Sequence, residues 1–431
     1  MSFPDAPSRR RFLKHAGLAA TAAATAAAAL PLAGSVTGTA TAATGDPDRL
    51  FKAGRFAEAE RGYRRRLRAN PKDARAAAQL GYLALLSNRF GNAERYLSEA
   101  LTLNAADAES KRRLAECYVR QDRHDRAIPL LNEVGTPAAK ASATQYAHLD
   151  GPSYRISGKD TRVPFRYMDP LPVADASVNG SAPKPFLVDT YATLDLSPET
   201  AKELGLRAVA SNTAGVANNR PVVIYFGVLD SFRIGGIEIR NLPVQWTDGA
   251  QPPTLPDGSK PAGAFGTTIF YHFLTTMDYA RRALVLRRRE HARRTNGLPL
   301  WLAGDHYPCS VGTIGSYGPR LVTIDTGGIG HGLDTTVEIA ERAGIPIDRA
   351  HPLPPMNGTN VYPVHPSRIS LGHAVGRNIL GYAAEKIFPG LPGPGLSPLT
   401  GFDLSANFTH EFFKPYAVTF DYRTMRLHLS R

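Results

Sequence analysis

With 431 residues, 43% of them hydrophobic and 21% charged, the chain has an ordinary globular composition and room for two or three cores. Its formal charge of +13 sits in stretches such as Arg64-Arg65-Arg66 and Arg287-Arg288-Arg289, with no interleaved aromatics. That pattern reads as a solvated basic surface suited to a cell wall or acidic polymers, and speaks against nucleic acid as a partner. The two cysteines, Cys117 and Cys309, have no metal-ligand neighbours at useful spacing, so they read as buried fillers and no metal or other cofactor is expected.

The N-terminal segment is not read as fold. Ser8-Arg9-Arg10-Arg11-Phe12-Leu13-Lys14 precedes an Ala-rich stretch from Ala16 to Ala33, and Thr39-Ala40-Thr41-Ala42-Ala43 offers an A-x-A-type cleavage site. This resembles a twin-arginine export signal in every position of its S-R-R-x-F-L-K motif. The resemblance implies a bacterial protein exported already folded, to the periplasm, the cell wall or the medium. The Thr and Ala content keeps the run weakly apolar compared with the ~20 strongly apolar residues of a membrane span. No stable membrane insertion is expected once residues 1–43 are removed.

From Asp46 to Gly135 the sequence repeats. Gly54-Arg55-Phe56-Ala57-Glu58-Ala59, Asn88-Arg89-Phe90-Gly91-Asn92-Ala93 and Asp122-Arg123-His124-Asp125-Arg126-Ala127 align without gaps, and Arg55, Arg89 and Arg123 step by 34 residues. The period and the small residues Ala59, Ala93 and Ala127 resemble tetratricopeptide repeats (TPRs), which implies paired helices and a face for a protein partner. About two and a half copies over residues 46–137 make a marginal array, expected to lean on the downstream domain, another chain or a ligand. A linker rich in Ala, Ser and Gly is expected from Ala138 to Gly158.

Beyond it, strand patterns of period two take over, and a longer repeat emerges. Phe186-Leu187-Val188-Asp189-Thr190-Tyr191-Ala192 parallels Val322-Thr323-Ile324-Asp325-Thr326-Gly327-Gly328. Each stretch precedes a short helix ending at Leu204-Gly205-Leu206 or Ala343-Gly344-Ile345. Phe232-Arg233-Ile234-Gly235-Gly236 then parallels Ile369-Ser370-Leu371-Gly372-His373, and Ala264-Phe265-Gly266 parallels Leu399-Thr400-Gly401. Met277-Asp278-Tyr279 and Phe420-Asp421-Tyr422 close the two copies. Five ordered landmarks at similar spacing indicate a duplicated domain.

Each copy resembles a retropepsin-like aspartic protease domain: D-T-G loop, helix ending in L-G-L, flap hairpin, psi-turn and closing hairpin. The fold class expected is therefore multidomain, a helical TPR-like array followed by two mainly-β lobes over residues 160–287 and 298–431, fused in the manner of pepsin. The resemblance implies an aspartic endopeptidase acting on peptide or protein substrates through Asp189 and Asp325, with no cofactor. Two carboxylates brought together cannot both ionise, so they share a proton; one then acts as base toward a water and the other as acid. Thr190 and Thr326 would hold the loops together across the twofold axis, and Gly327 would keep side-chain bulk away from the dyad. Tyr191 stands where the first copy should have that glycine.

The remaining candidates read as structural. Asp278 and Asp421 belong to hairpin turns, Asp403 follows the expected psi-turn, and His331, His351, His365 and His373 lie in loops without ligand spacing. Flap hairpins are expected at Asn212 to Arg220 and at Met356 to Tyr362, the second with an Asn-Gly turn. A different class of function is also compatible: a peptide-binding module that keeps the protease fold and has lost its dyad through Tyr191. A third reading has only the second copy active, paired with its equivalent in another chain.

Overall fold

The computed structural model describes residues 45–217, 220–248, 252–289 and 296–431. The export motif and its cleavage site, the tip of the first flap and residues 290–295 of the basic linker lie outside the described residues.

Among these, seven helices open the chain: α1 (Pro47–Lys52), α2 (Phe56–Ala69), α3 (Ala74–Leu86), α4 (Phe90–Leu103), α5 (Ala108–Val119), α6 (His124–Val134) and α7 (Pro137–Ala147). The 34-residue period is visible in the backbone. Gly54, Asn88 and Asp122 all take positive φ, at 73°, 50° and 59°, to turn the chain ahead of α2, α4 and α6. Asp73 and Asp107 cap the starts of α3 and α5 by accepting backbone N–H groups. Ala59, Ala93 and Ala127 are wholly buried where paired helices approach.

Helix α7 corrects the expected linker. Thr136 caps it through Ala139 N–H, Pro137 stands in its first turn, and alanine is the strongest helix former. Composition alone indicates a linker because the Ala run has little amphipathic contrast. In the fold α7 lies on the first β-lobe: Ala141 packs with Val222, Ile224 and Phe226, and Gln145 Nε2 donates to Gly227 O and Val244 O, both at 2.8 Å.

Among the described residues the β-region contains three sheets. In the first, Lys184–Val188 runs parallel to Gly263–Phe265, which is antiparallel to Leu194–Leu196, which is parallel to Ile237–Thr247. In the second, Tyr317–Ile324, Ala406–Phe408, Leu333–Thr336 and Gly381–Ala384 follow the same succession of orientations. The third joins them, in the strand order Leu298–Pro299, Arg426–Ser430, Ala417–Asp421, Phe273–Asp278, Ala283–Arg288, Thr161–Pro164. At its centre Thr276 faces Thr419, hydroxyl to hydroxyl at 2.8 Å. In the second flap, Asn357 (φ 48°) and Gly358 (φ 72°) turn between Leu353–Met356 and Thr359–Val364, as the Asn-Gly pair demands.

One landmark moves. The second-sheet counterpart of Gly263–Phe265 and its following helix Thr267–Phe270 is Ala406–Phe408 followed by His410–Phe413. Leu399-Thr400-Gly401 instead ends the short helix Ser397–Thr400, with Gly401 as a left-handed cap at φ 76°. A glycine after apolar residues serves a helix end as readily as a psi-turn, and the true position carries Thr409 in place of glycine. Asp403 therefore lies outside the psi-turn.

The helical array leans on the β-region, as its shortness requires. Phe51, Phe56, Tyr63 and Tyr82 share one core with Leu321, Leu396, Phe402 and the partly buried Trp301. Arg120, with its side chain 1% exposed, donates to Leu85 O (2.9 Å), Asn88 Oδ1 (3.0 Å) and Leu302 O (2.9 Å) and pairs with Glu116. Asp122 meets His272 Nε2 at 3.0 Å. Both cysteines are free and buried.

Candidate active site

Asp189 and Asp325 each follow a buried strand and are held by a parallel neighbour: Asp189 N–H donates to Phe265 O (3.0 Å), and Asp325 N–H to Phe408 O (2.9 Å). The two loops meet within one chain. Thr190 N–H donates to Thr326 Oγ1 (2.9 Å) and Thr326 N–H to Thr190 Oγ1 (3.0 Å). Each hydroxyl donates onward across the junction, Thr190 to Ile324 O (2.7 Å) and Thr326 to Val188 O (3.1 Å). Four buried bonds lock the loops in reciprocal register.

This junction presents the two carboxyl groups to each other. Both residues are almost fully buried, at 0% and 1% exposure, and the charge on Asp325 acts on the Asp189 carboxyl group. Tyr191 N–H donates to Asp189 Oδ1 (2.8 Å), and Gly327 N–H to Asp325 Oδ1 (2.7 Å). A side chain at position 327 would collide with the Asp189 carboxyl group, which explains the glycine there.

The electrostatics are uneven. Burial and then the Asp325 charge push the Asp189 pKa well above the carboxylate range. Burial also raises Asp325, but hydrogen bonds from Asn407 and the Gly327 N–H work against it. The pair titrates as a unit, and the ionised form is better supported at Asp325.

Tyr191, the departure in the first loop, is 1% exposed and packs edge-on to Tyr307 at 4.9 Å. Its hydroxyl donates to Asn407 Oδ1 (3.1 Å), as does Thr323 Oγ1 (2.7 Å). The amide is thereby oriented with its nitrogen toward two acids: Nδ2 donates to Asp325 Oδ2 (2.9 Å) and Asp334 Oδ2 (3.0 Å). The phenol is accommodated by a hydrogen bond and does not displace the loop contacts. In the first lobe the positions of Thr323 and Asn407 are Leu187 and Ala264, which are apolar and pack with Ile329.

His331, expected with the other loop histidines at a surface or flap position, is a further correction. It lies buried, donating to Ile329 O (2.9 Å) and meeting Asp334 Oδ1 at 2.8 Å. Burial would lower its pKa, and the Asp334 carboxylate overrides that and raises it. His351, His365 and His373 are exposed. Asp278 and Asp421 accept from Arg281 N–H and from Arg423 and Thr424 N–H in their hairpin turns. Asp169, His410 and Glu411 approach one another closely enough to hold a cation. Lys414 Nζ, at 2.5 Å from Asp169 and 2.6 Å from Glu411, supplies that charge.

Asn407, Thr323 and Asp334 escape a motif search because none belongs to the D-T-G signature. One signal was present: Phe265 precedes Asp278 by 13 residues and Phe408 precedes Asp421 by 13, an ungapped spacing that marks Asn407 as the partner of Ala264.

Residues 174–269, which include Asp189, match the aspartyl protease family, and residues 84–149 match the tetratricopeptide repeat family. The chain carries an aspartyl protease domain and a TPR module. Asp325 lies outside the matched residues. No curated protein matches the chain. Among solved structures, similarity is found to a retropepsin-like aspartic protease from Rickettsia conorii, at 20% identity over 31% of this chain and 93% of that one (TM-score 0.23). PcrH in complex with the chaperone binding region of PopD matches at 18% identity over 23% of this chain and 80% of that one (TM-score 0.21). A Thermobaculum terrenum O-GlcNAc transferase mutant matches at 21% identity over 24% of this chain (TM-score 0.22), and the chain spans about a fifth of that protein's length, 21%. Among the described residues no helix is long and apolar enough to cross a membrane.

Proposed function

We propose that the protein is an exported aspartic endopeptidase built from two retropepsin-like lobes in one chain, with Asp189 and Asp325 as its catalytic dyad. The observation that carries this reading is the reciprocal Thr190–Thr326 junction, which sets two buried carboxyl groups against each other. Asp325, which accepts from Gly327 N–H and Asn407 Nδ2, is the ionised member and the general base. Asp189 holds the shared proton; among the described residues its Oδ2 has no protein donor. A water placed between the two loses a proton to Asp325 as its oxygen bonds to the peptide carbonyl carbon, and Asp189 protonates the developing oxyanion. Collapse of the tetrahedral adduct breaks the C–N bond, with the proton on Asp325 passing to the leaving amine and a hydroxyl proton of the adduct returning to Asp189. The S-R-R-x-F-L-K motif supports a reading of twin-arginine export, and the TPR module one of docking substrate or a protein partner.

The test is hydrolysis of a peptide library between pH 4 and 7 by the wild type and by Asp189→Asn and Asp325→Asn. Loss of cleavage in both variants is the expected result. A second reading, a non-catalytic peptide-binding module, is favoured by the near-complete burial of both carboxyl groups beside Tyr191. No cleavage by the wild type at any pH, with peptide binding retained, would decide for it.

A further inference from the structure

The Asn407 amide that reaches Asp325 is fixed from four directions. Its oxygen accepts from Tyr191 Oη (3.1 Å) and Thr323 Oγ1 (2.7 Å), and its nitrogen donates to Asp325 Oδ2 (2.9 Å) and Asp334 Oδ2 (3.0 Å). A carboxamide offers two hydrogens and two lone pairs, so its whole bonding capacity is used. A flipped amide would set its oxygen against both acids. Because they share one donor nitrogen, the Asp325 and Asp334 oxygens lie no more than about 6 Å apart, within the range where one charge acts on another's ionisation.

A second anion so close to the base needs a counter-charge, and His331 is placed to supply it. Its Nδ1 lies 2.9 Å from Ile329 O, which can only accept, so Nδ1 carries a hydrogen. Its Nε2 lies 2.8 Å from Asp334 Oδ1. A bare lone pair there would face a carboxylate, so a second proton belongs to the pair, which is then an imidazolium and a carboxylate of no net charge. Both residues are buried, at 6% and 7% exposure, where charges are weakly screened. The other titratable groups about His331 are Tyr382, whose ring lies 4.6 Å away on Gly381–Ala384, and Asp325 itself. Burial raises the Asp325 pKa and the Asn407 and Gly327 bonds lower it; beyond these, the Asp334 charge raises it and the His331 charge lowers it.

The first lobe repeats only half of this arrangement. Asp195 stands opposite Ala264 as Asp334 stands opposite Asn407. Ala264 has no side-chain donor, and Asp195 accepts instead from Gln245 Nε2 (2.6 Å) and Thr193 N–H (3.0 Å). The acid is present in both lobes, but only in the second does an amide link it to the dyad.

We propose that His331 and Asp334 are positioning residues for the dyad: the pair anchors the Asn407 amide while cancelling its own charge, and so keeps Asp325 the ionised member. The assignment rests on the reading of Asp189 and Asp325 as a catalytic pair. It adds to that reading the groups outside the two dyad loops that make the pair unequal.

The experiment compares the full wild-type chain with His331→Gln, which keeps a donor toward Asp334 without the charge, and with His331→Gln/Asp334→Asn, which removes both charges. For a peptide that the wild type cleaves, kcat/KM is followed between pH 4 and 7. In His331→Gln the uncompensated Asp334 anion should move the acid limb up by roughly one pH unit, a tenfold loss on that limb. The double variant should recover at least half of the displacement. Lost packing alone would lower activity without moving the limb, and more so in the double variant. Carbon-13 carboxyl signals of aspartate-labelled chain, with that of Asp325 identified by its loss in Asp325→Asn, report the same displacement without hydrolysis. Nitrogen-15 signals of the wild-type His331 ring, identified through its contact with Tyr382, should show both nitrogens protonated while Asp325 ionises; this measurement decides the case if a variant does not fold.

An Asp325 titration unmoved in folded His331→Gln, a double variant displaced further than the single one, or a neutral wild-type His331 ring while Asp325 ionises would overturn the assignment. Hydrolysis by the wild type alongside any of those results removes the role of the pair and leaves the endopeptidase. A displaced and recovered Asp325 titration with no hydrolysis at any pH removes the endopeptidase and leaves the pair as what sets the charge on Asp325.

Discussion

Tyr191 Oη lies 3.1 Å from Asn407 Oδ1, a contact between the first dyad loop and a strand of the second lobe, and it helps turn the Asn407 amide nitrogen toward Asp325. The residue that breaks the D-T-G pattern in one loop thus supports the carboxylate of the other.

Restoring the family pattern should therefore do harm. Tyr191→Gly empties a fully buried ring position, and is expected to cost ~3–5 kcal/mol of stability, as removal of a buried aromatic ring does. Tyr191→Phe keeps the ring and deletes one of two donors to Asn407, for a loss of about 1 kcal/mol. Chemical denaturation of the two variants checks the order, and peptide hydrolysis should fall in both. Higher activity in Tyr191→Gly would show that the tyrosine obstructs the site.

Asn407 should set the acid limb of the pH–rate profile. Its amide bond to Asp325 opposes the burial that raises that carboxyl pKa. In Asn407→Leu the opposition is gone, Asp325 ionises only at higher pH, and the acid limb of kcat/KM moves up by roughly one unit, the size of effect a single hydrogen bond of ~1.4 kcal/mol has on a pKa. A limb that stays in place would remove Asn407 from the mechanism.

The dyad also makes stability depend on pH. Burial, reinforced for Asp189 by the Asp325 charge, raises both folded-state pKa values above their unfolded ones. The folded chain therefore holds more protons, and the stabilisation is fully present below the unfolded carboxylate pKa and lost as pH rises through the folded values. Relative to wild type, Asp189→Asn should flatten the fall in stability from about pH 4 toward neutrality, where each proton released costs up to ~1.4 kcal/mol per pH unit. Paired urea titrations at several pH values measure the difference.

Arg120 ties the array to the β-region. Arg120→Met strips Leu85 O and Leu302 O of a donor and leaves the buried Glu116 with only the 3.4 Å contact of Arg112. The expected loss is about 3–5 kcal/mol, read as a lower melting temperature with the helical signal unfolding ahead of the β-region. A single unshifted transition would mean that the apolar contacts of Phe51, Phe56 and Trp301 suffice.

Local periodicity determined much of this molecule. The 34-residue step is written in residues that turn or pack within one repeat, so Gly54, Asn88 and Asp122 and the buried alanines could be read in order. The strand–Asp–Thr loops and the Asn357-Gly358 flap turn are equally local, because a few neighbouring residues dictate their backbone. Tertiary structure decided the rest. Helix α7 was hidden in an Ala-rich run whose buried face is defined only by the lobe it covers, and the psi-strand ending at Phe408 lacked its glycine. Asn407 lies 216 residues from Tyr191 and 82 from Asp325; no spacing rule connects them, since what brings them together is the parallel pairing of Tyr317–Ile324 with Ala406–Phe408 and the Thr190–Thr326 junction. Asp189 and Asp325 could be named from sequence, but the unequal hydrogen bonding of their carboxyl groups exists only where those long-range contacts close.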